Sequence, residues 1–135
     1  MDDGLKGIPV LVHPHLKNDP AGKQNQVGII ILADIVNDDV WVSFDDNTQG
    51  LYSTDALLAL LPVNKIHQHL ADNASTVALP DLKALTHIDL LLHYGSAHCQ
   101  QEALKLARQN QNIQLFCLDT VHNQLDLYQR QHCKR

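Results

Sequence analysis

Between Gln26 and Pro62 the chain reads QVGIIILADIVNDDVWVSFDDNTQGLYSTDALLALLP, three blocks of apolar residues separated by acidic turns. Val27 to Val36 is apolar almost throughout and rich in Ile and Val, residues whose branched side chains suit an extended backbone. Apolar residues on both faces predict a strand buried on both sides. Asn37-Asp38-Asp39 interrupts it with turn formers. Val40, Val42 and Phe44 then alternate with Trp41, Ser43 and Asp45. Period two sends the first three to one face, taken as the core, and turns Trp41 outward. Asp45-Asp46-Asn47-Thr48 is the second predicted turn and Gly50-Leu51-Tyr52-Ser53 a short strand. The apolar segment Ala56 to Leu61 reads as a brief helical turn capped by Thr54 or Asp55 and stopped by Pro62. Upstream, Ile8 to Val12 is a first strand with Pro9 at its start, followed by a polar loop through Gly22 and Asn25.

Beyond Pro62 the spacing turns helical. Asn64 is placed to cap a helix from Lys65 to about Asn73, and Asn73-Ala74-Ser75-Thr76 is a linker. Pro80-Asp81 suits a first helical turn. Leu82, Leu85, Ile88 and Leu92, with Leu90 and Leu91 beside them, make a broad apolar stripe that ends at Gly95. Ser96 caps a helix from Ala97 to about Asn110, with Ala103, Leu104, Leu106 and Ala107 inward. Ile113 to Gln131 is assigned to helix on the face formed by Phe116, Val121, Leu125 and Tyr128. Ile113, Leu115 and Cys117 also fit a strand, so residues 111–120 stay open. The shift in character places a domain boundary in residues 63–78, with a β-rich domain at 1–63 and a region of three to four helices at 64–135.

At 44% apolar residues, the 135-residue chain can support a folded core. Charge divides unevenly. Residues 1–63 hold three lysines against nine aspartates, a balance of −6, while residues 64–135 hold seven basic and six acidic residues, +1. Phosphate binding rests on clustered Lys and Arg, so this distribution weighs against nucleic acid. No run approaches the roughly 20 apolar residues that span a bilayer. Met1-Asp2-Asp3-Gly4 lacks the basic-then-apolar layout of a secretory signal. Cys99, Cys117 and Cys133 are an odd, unclustered set, and a cytoplasmic location is expected.

Candidate chemistry is sparse. His13 and His15 flank a proline in a loop, and His67 and His69 diverge by about 200° on a helix, so neither pair is expected to hold a metal. His98-Cys99 opens a helix, the setting of a reactive thiol, but neighbouring helical residues point about 100° apart. Asp34, Asp38, Asp39, Asp45 and Asp46 lack the spacing of a calcium loop. No catalytic, cofactor or metal residue is assigned.

Gly22, then Val27-Gly28-Ile29-Ile30, Val40-Trp41-Val42-Ser43-Phe44-Asp45-Asp46, Gly50-Leu51-Tyr52 and Leu57 to Leu60, taken in that order, resemble an SH3-like barrel of the Tudor/KOW kind over the first half of the chain. The resemblance implies a small barrel that binds partners through loops and aromatics and carries no catalytic residues; with the helices read beyond Pro62, the expected fold class is α+β, a small SH3-like β-barrel followed by a helical region. The reading adopted is a non-enzymatic protein-interaction module. It would grip a partner segment with Trp41, Tyr52, Asp45 and Asp46, the carboxylates favouring a basic one. Trp41 has a competing and preferred role, packing on the C-terminal helices or on a second copy. A KOW-like nucleic-acid-associated protein, drawing on Arg130, Lys134 and Arg135, and a small enzyme using Cys99 are the alternatives.

Overall fold

The computed structural model describes residues 5–14, 16, 22–109 and 111–125. Among the described residues there are six strands: β1 (Pro9–Val12), β2 (Val27–Asp34), β3 (Asp39–Phe44), β4 (Gln49–Tyr52), β5 (Leu57–Leu60) and β6 (Leu118–Thr120). Four α-helices lie between β5 and β6: α1 (Val63–Asn73), α2 (Leu79–Tyr94), α3 (Ala97–Ala107) and α4 (Gln111–Cys117). The sheet order is β4-β3-β2-β1-β5-β6, and the fold is mixed α and β. Two compact units make up the chain, one reaching Ala59 and resuming at Thr120, the other Leu60–Asp119. The units part at residues 59/60 and 119/120.

In the first unit β2 pairs antiparallel with β1 and β3, β3 with β4, and β1 with β5. Period-two alternation sends Val40, Val42 and Phe44 inward, where they join Val10, Val12, Ile30, Tyr52 and Leu57 in one buried cluster. Val121 enters the same core from beyond the second unit. Gly28 faces Phe44 across the ladder. A Cβ built there would stand 2.5 Å from Val42 Cγ1 and 2.9 Å from the Ser43 carbonyl oxygen, so β2 and β3 approach as closely as they do because position 28 lacks a side chain. The turns use residues that tolerate left-handed backbone: Asp38 at φ 55° and Asn47 at φ 67°. Asp38 also accepts from the Thr54 N–H at 2.8 Å and from its hydroxyl at 2.7 Å, tying the β2–β3 turn to a single 3-10 turn at Thr54–Ala56. Because the Thr54 hydroxyl spends its one proton on Asp38, His122 Nδ1, 3.3 Å away, is the donor in that contact.

Three expectations need correction here. The segment expected as a helical turn, Ala56 to Leu61, holds only the end of the 3-10 turn before β5, which buries Leu57, Leu58 and Ala59 on the antiparallel edge offered by β1. Asn64 does not cap α1, which begins at Val63 with Pro62 before it and no side-chain cap. The continuous helix expected from Ile113 is broken by β6, and residues 121–125 are helical again.

The second unit buries Ile66, Leu85, Ile88, Ala103, Leu104, Ala107, Ile113 and Cys117. Pro80 stands in the first turn of α2, and Gly95 ends it at φ 75° with its N–H directed to the Leu91 carbonyl. Ser96 caps α3 by accepting from the Cys99 N–H at 3.1 Å. Leu90, expected on the apolar stripe, is exposed, and Leu106 is only half-buried. The Leu61 N–H donates to the Cys117 carbonyl at 2.8 Å, bringing the end of β5 beside the start of β6. Among the described residues no helix is long and apolar enough to cross a membrane. The expectations placed on Met1 to Gly4, His15, Asn110, Tyr128, Arg130, Gln131, Cys133, Lys134 and Arg135 lie outside the described residues.

Candidate functional site

The register of the two hairpins decides which residues share the outer face of β2, β3 and β4. Leu32 pairs with Trp41 and Trp41 with Leu51. The three side chains form a row across the strands, 40%, 39% and 43% exposed respectively. Cross-strand neighbours lie about 5 Å apart, so the row is a continuous apolar strip rather than scattered residues. Leu32 reaches it because the β2–β3 register shifts between Ile30 and Leu32, leaving Ile31 as an extra residue and turning Leu32 to the Trp41 side.

Tyr52 is not part of this face. It pairs with Val40, not Trp41, and is 5% exposed, its ring edge-on to Phe44 at 6.3 Å. The parity of β4 accounts for this: with Ser43 opposite Gln49, even-numbered residues 50 and 52 point inward and Leu51 outward. The expected Trp41–Tyr52 pair is therefore split between the two faces of the sheet. Leu51, not Tyr52, stands beside Trp41 on the outer face. The length of the Asp45–Thr48 turn fixes the β3–β4 register and was the available signal.

Carboxylates lie to either side of the strip along the strand direction, one pair next to it and another beyond Ser43. Asp34 and Asp39 pair directly across β2 and β3, one step along from Leu32 and Trp41 on the same outer face. Like charges directly opposite each other destabilise a sheet. Among the described residues neither has an ion-pair partner; Asp34 accepts from the Asn37 amide at 2.7 Å. At the other end Asp45 is exposed. Asp46 is engaged by the Lys23 ammonium and by the Thr48 hydroxyl and N–H. The Lys23 hydrogen bond, then those from Thr48, hold its carboxyl well below the usual carboxylate range. Lys23 also lies 5.6 Å from the centre of the Phe44 ring. Asp46 thus serves the β3–β4 turn and is already neutralised, whereas Asp34, Asp39 and Asp45 leave their charge uncompensated by nearby lysine or arginine among the described residues.

The other candidates fall in different places. His67 and His69 diverge on α1: His67 Nδ1 meets Asp89 Oδ2 at 2.9 Å, while His69 sits edge-on to Phe116. Asp89 is buried on α2, and His93 Nδ1 lies 2.7 Å from its backbone carbonyl oxygen. Among the described residues no set of three or more His, Cys, Asp or Glu side chains is arranged to hold a metal ion. Cys99 is half-buried with its N–H committed to Ser96, and His98 is exposed. Burial, with a smaller contribution from the Asp89 carboxylate, pushes the Cys117 thiol up to about 12, which keeps it protonated and unreactive at neutral pH. A cleft of about 650 Å³ along α1, lined by Lys65, His69, Asp72 and Leu115, brings no nucleophile and base together.

No protein-family model, no curated protein and no solved structure matches the chain.

Proposed function

We propose that the first unit is a non-enzymatic protein-interaction module of SH3-like architecture. Its ligand is a partner segment that sets apolar side chains on Leu32, Trp41 and Leu51 and places lysine or arginine beside Asp34, Asp39 and Asp45. The observation that carries this reading is the row of half-exposed apolar side chains bounded by unneutralised carboxylates. What supports the architecture is a run of antiparallel strands β4-β3-β2-β1-β5 built from the same blocks that carry the resemblance. An aromatic cage is not part of the proposal, because Tyr52 is buried in the core. The chemistry is desolvation of a tryptophan-centred strip, with charge setting the partner's sign and the speed of encounter. The same carboxylates oppose a phosphate backbone.

A Lys-Thr-Val-Thr-Lys-Thr-Val peptide and its glutamate counterpart, titrated by calorimetry into the full chain, test the reading. The lysine peptide is expected to bind, to weaken as salt rises, and to lose at least tenfold in affinity on Trp41→Ala with the melting temperature nearly unchanged. Equal binding of the two peptides, or a neutral Trp41→Ala, would overturn it.

A further inference from the structure

The outer face ends at β4, which is an edge of the sheet. The β3–β4 ladder fixes which of its backbone groups are used. The Phe44 N–H donates to the Thr48 carbonyl at 2.9 Å, and Ser43 faces Gln49, Val42 Gly50, Trp41 Leu51 and Val40 Tyr52. Antiparallel strands alternate between bonded and non-bonded positions. Gly50 and Tyr52 therefore direct their amides and carbonyls to β3, while those of Gln49 and Leu51 point away from the sheet. Among the described residues nothing pairs with Gln49 or Leu51 on that side.

Edge strands are usually blunted by lysine, proline, a bulge or an inward charge. β4 reads Gln-Gly-Leu-Tyr and has none of these. Its bulge-free ladder holds Leu51 in two roles: the side chain closes the Leu32–Trp41–Leu51 row, and the backbone offers an outward donor and acceptor. A strand laid about 4.8 Å beyond β4 would continue that row with an apolar residue of its own, and residues two positions away would again point to the same face. One of those positions falls in the row of Asp34 and Asp39, which ends at β4 beside Ser53, whose hydroxyl donates to Asp55.

We infer that the partner segment binds as an added strand on β4, in extended conformation, with an apolar and a basic residue two positions apart so that both fall on the face of the strip. This rests on the interaction reading above and specifies how that surface is used. Charge selects the occupant: a second copy of the chain would bring Asp34, Asp39, Asp45 and Asp55 against their own kind, whereas a lysine- or arginine-bearing segment is complementary. Strand addition takes its affinity from main-chain hydrogen bonds and its selectivity from alternate side chains.

The test uses the Lys-Thr-Val-Thr-Lys-Thr-Val peptide on the full chain, in which lysine and valine alternate along one face of an extended strand. Two forms of it carry N-methyl groups on alternate amides, one on the odd-numbered and one on the even-numbered residues. Strand addition requires one form to lose at least tenfold in affinity and the other to stay within about threefold of the parent. On the protein side, Gln49→Pro removes an outward amide without touching the β3–β4 bonds or the apolar row, and is expected to lose at least tenfold. Should that variant unfold, the N-methyl pair still decides. Two N-methyl forms that bind alike, or Gln49→Pro binding within twofold of the parent chain, would overturn strand addition. If Trp41→Ala still abolished binding in that case, the face would remain the site and only the mode would be wrong. A neutral Trp41→Ala would remove the interaction reading itself. Sedimentation showing a dimer joined through β4, disrupted by Gln49→Pro, would assign the edge to a second copy and also overturn the inference.

Discussion

Phe44 and Ser43 are neighbours in β3 with opposite fates, and the difference is set by parity alone. Phe44 is 6% exposed, edge-on to Tyr52 and beneath the Lys23 ammonium, while Ser43 is half-buried on the other face. Phe44→Ala is expected to cost about 3–5 kcal/mol and Ser43→Ala about 0.5 kcal/mol or less, measured by denaturant unfolding. Equal costs would reverse the assignment of faces. The inward set Val40, Val42 and Phe44 was legible in the sequence because alternation needs no knowledge of partners. The Trp41–Leu51 pairing was not, because which residue of β4 faces Trp41 depends on register. At the same scale, Cys117 makes stability depend on alkaline pH. Its thiol titrates near 8.5 when unfolded and at about 12 when folded, so the folded state keeps a proton that the unfolded chain gives up. That contribution is fully present below about pH 8.5 and is lost as pH rises toward 12. A Cys117→Val chain is expected to show a flatter decline of unfolding free energy between about pH 8.5 and 10 than the parent. A decline of equal slope in both chains would contradict the burial of this thiol.

Elements were readable wherever their periodicity was unambiguous. β2, β3 and the capped ends of α2 and α3 follow from alternation, Gly95 and Ser96. β5 was misread because Leu57-Leu58-Ala59-Leu60 is continuously apolar, and a short apolar run fits helix and strand alike until a neighbouring strand offers its edge. β6 was missed for the same reason: three residues carry almost no local signal, and their conformation is decided by the chain beside them. The bulge at Ile31 was equally invisible, yet it turns Leu32 toward Trp41 and so completes the outer strip. Gly28 tests the packing of β2 on β3. A methyl group there meets the Val42 side chain and the Ser43 backbone, and a backbone atom in mid-sheet has little room to yield. Gly28→Ala is expected to destabilise by about 1–3 kcal/mol despite the usual preference for Ala over Gly in strands. A neutral or stabilising Gly28→Ala would mean that the two strands sit further apart than described.

At the scale of the molecule, the chain leaves its first unit at Ala59 and returns to it at Thr120. Nothing local announces the return: Val121 was placed on a helical face, but a sequence pattern does not say which core that face meets. Val121 is fully buried in the core of the first unit, and the Gln124 amide donates to the Ala59 carbonyl at 3.0 Å. Val121→Ala is therefore expected to lower the stability of the β-rich unit by about 2 kcal/mol. The same change at Val36, which is 92% exposed, should leave it unaltered. Equal effects at the two positions would deny Val121 its place in that core. The acidity of the β-rich half and the outward turn of Trp41 were both legible; their meeting on one face needed the strand pairing. Trp41 is also the single tryptophan of the chain, so its emission reports on that face alone. The most direct measurement follows this emission while the Lys-Thr-Val-Thr-Lys-Thr-Val peptide is added at neutral pH and physiological salt. A saturable blue shift, absent with the glutamate counterpart and reduced at high salt, is the result expected if the strip binds a basic, apolar segment. An emission maximum that does not move, or that moves equally with both peptides, would contradict it.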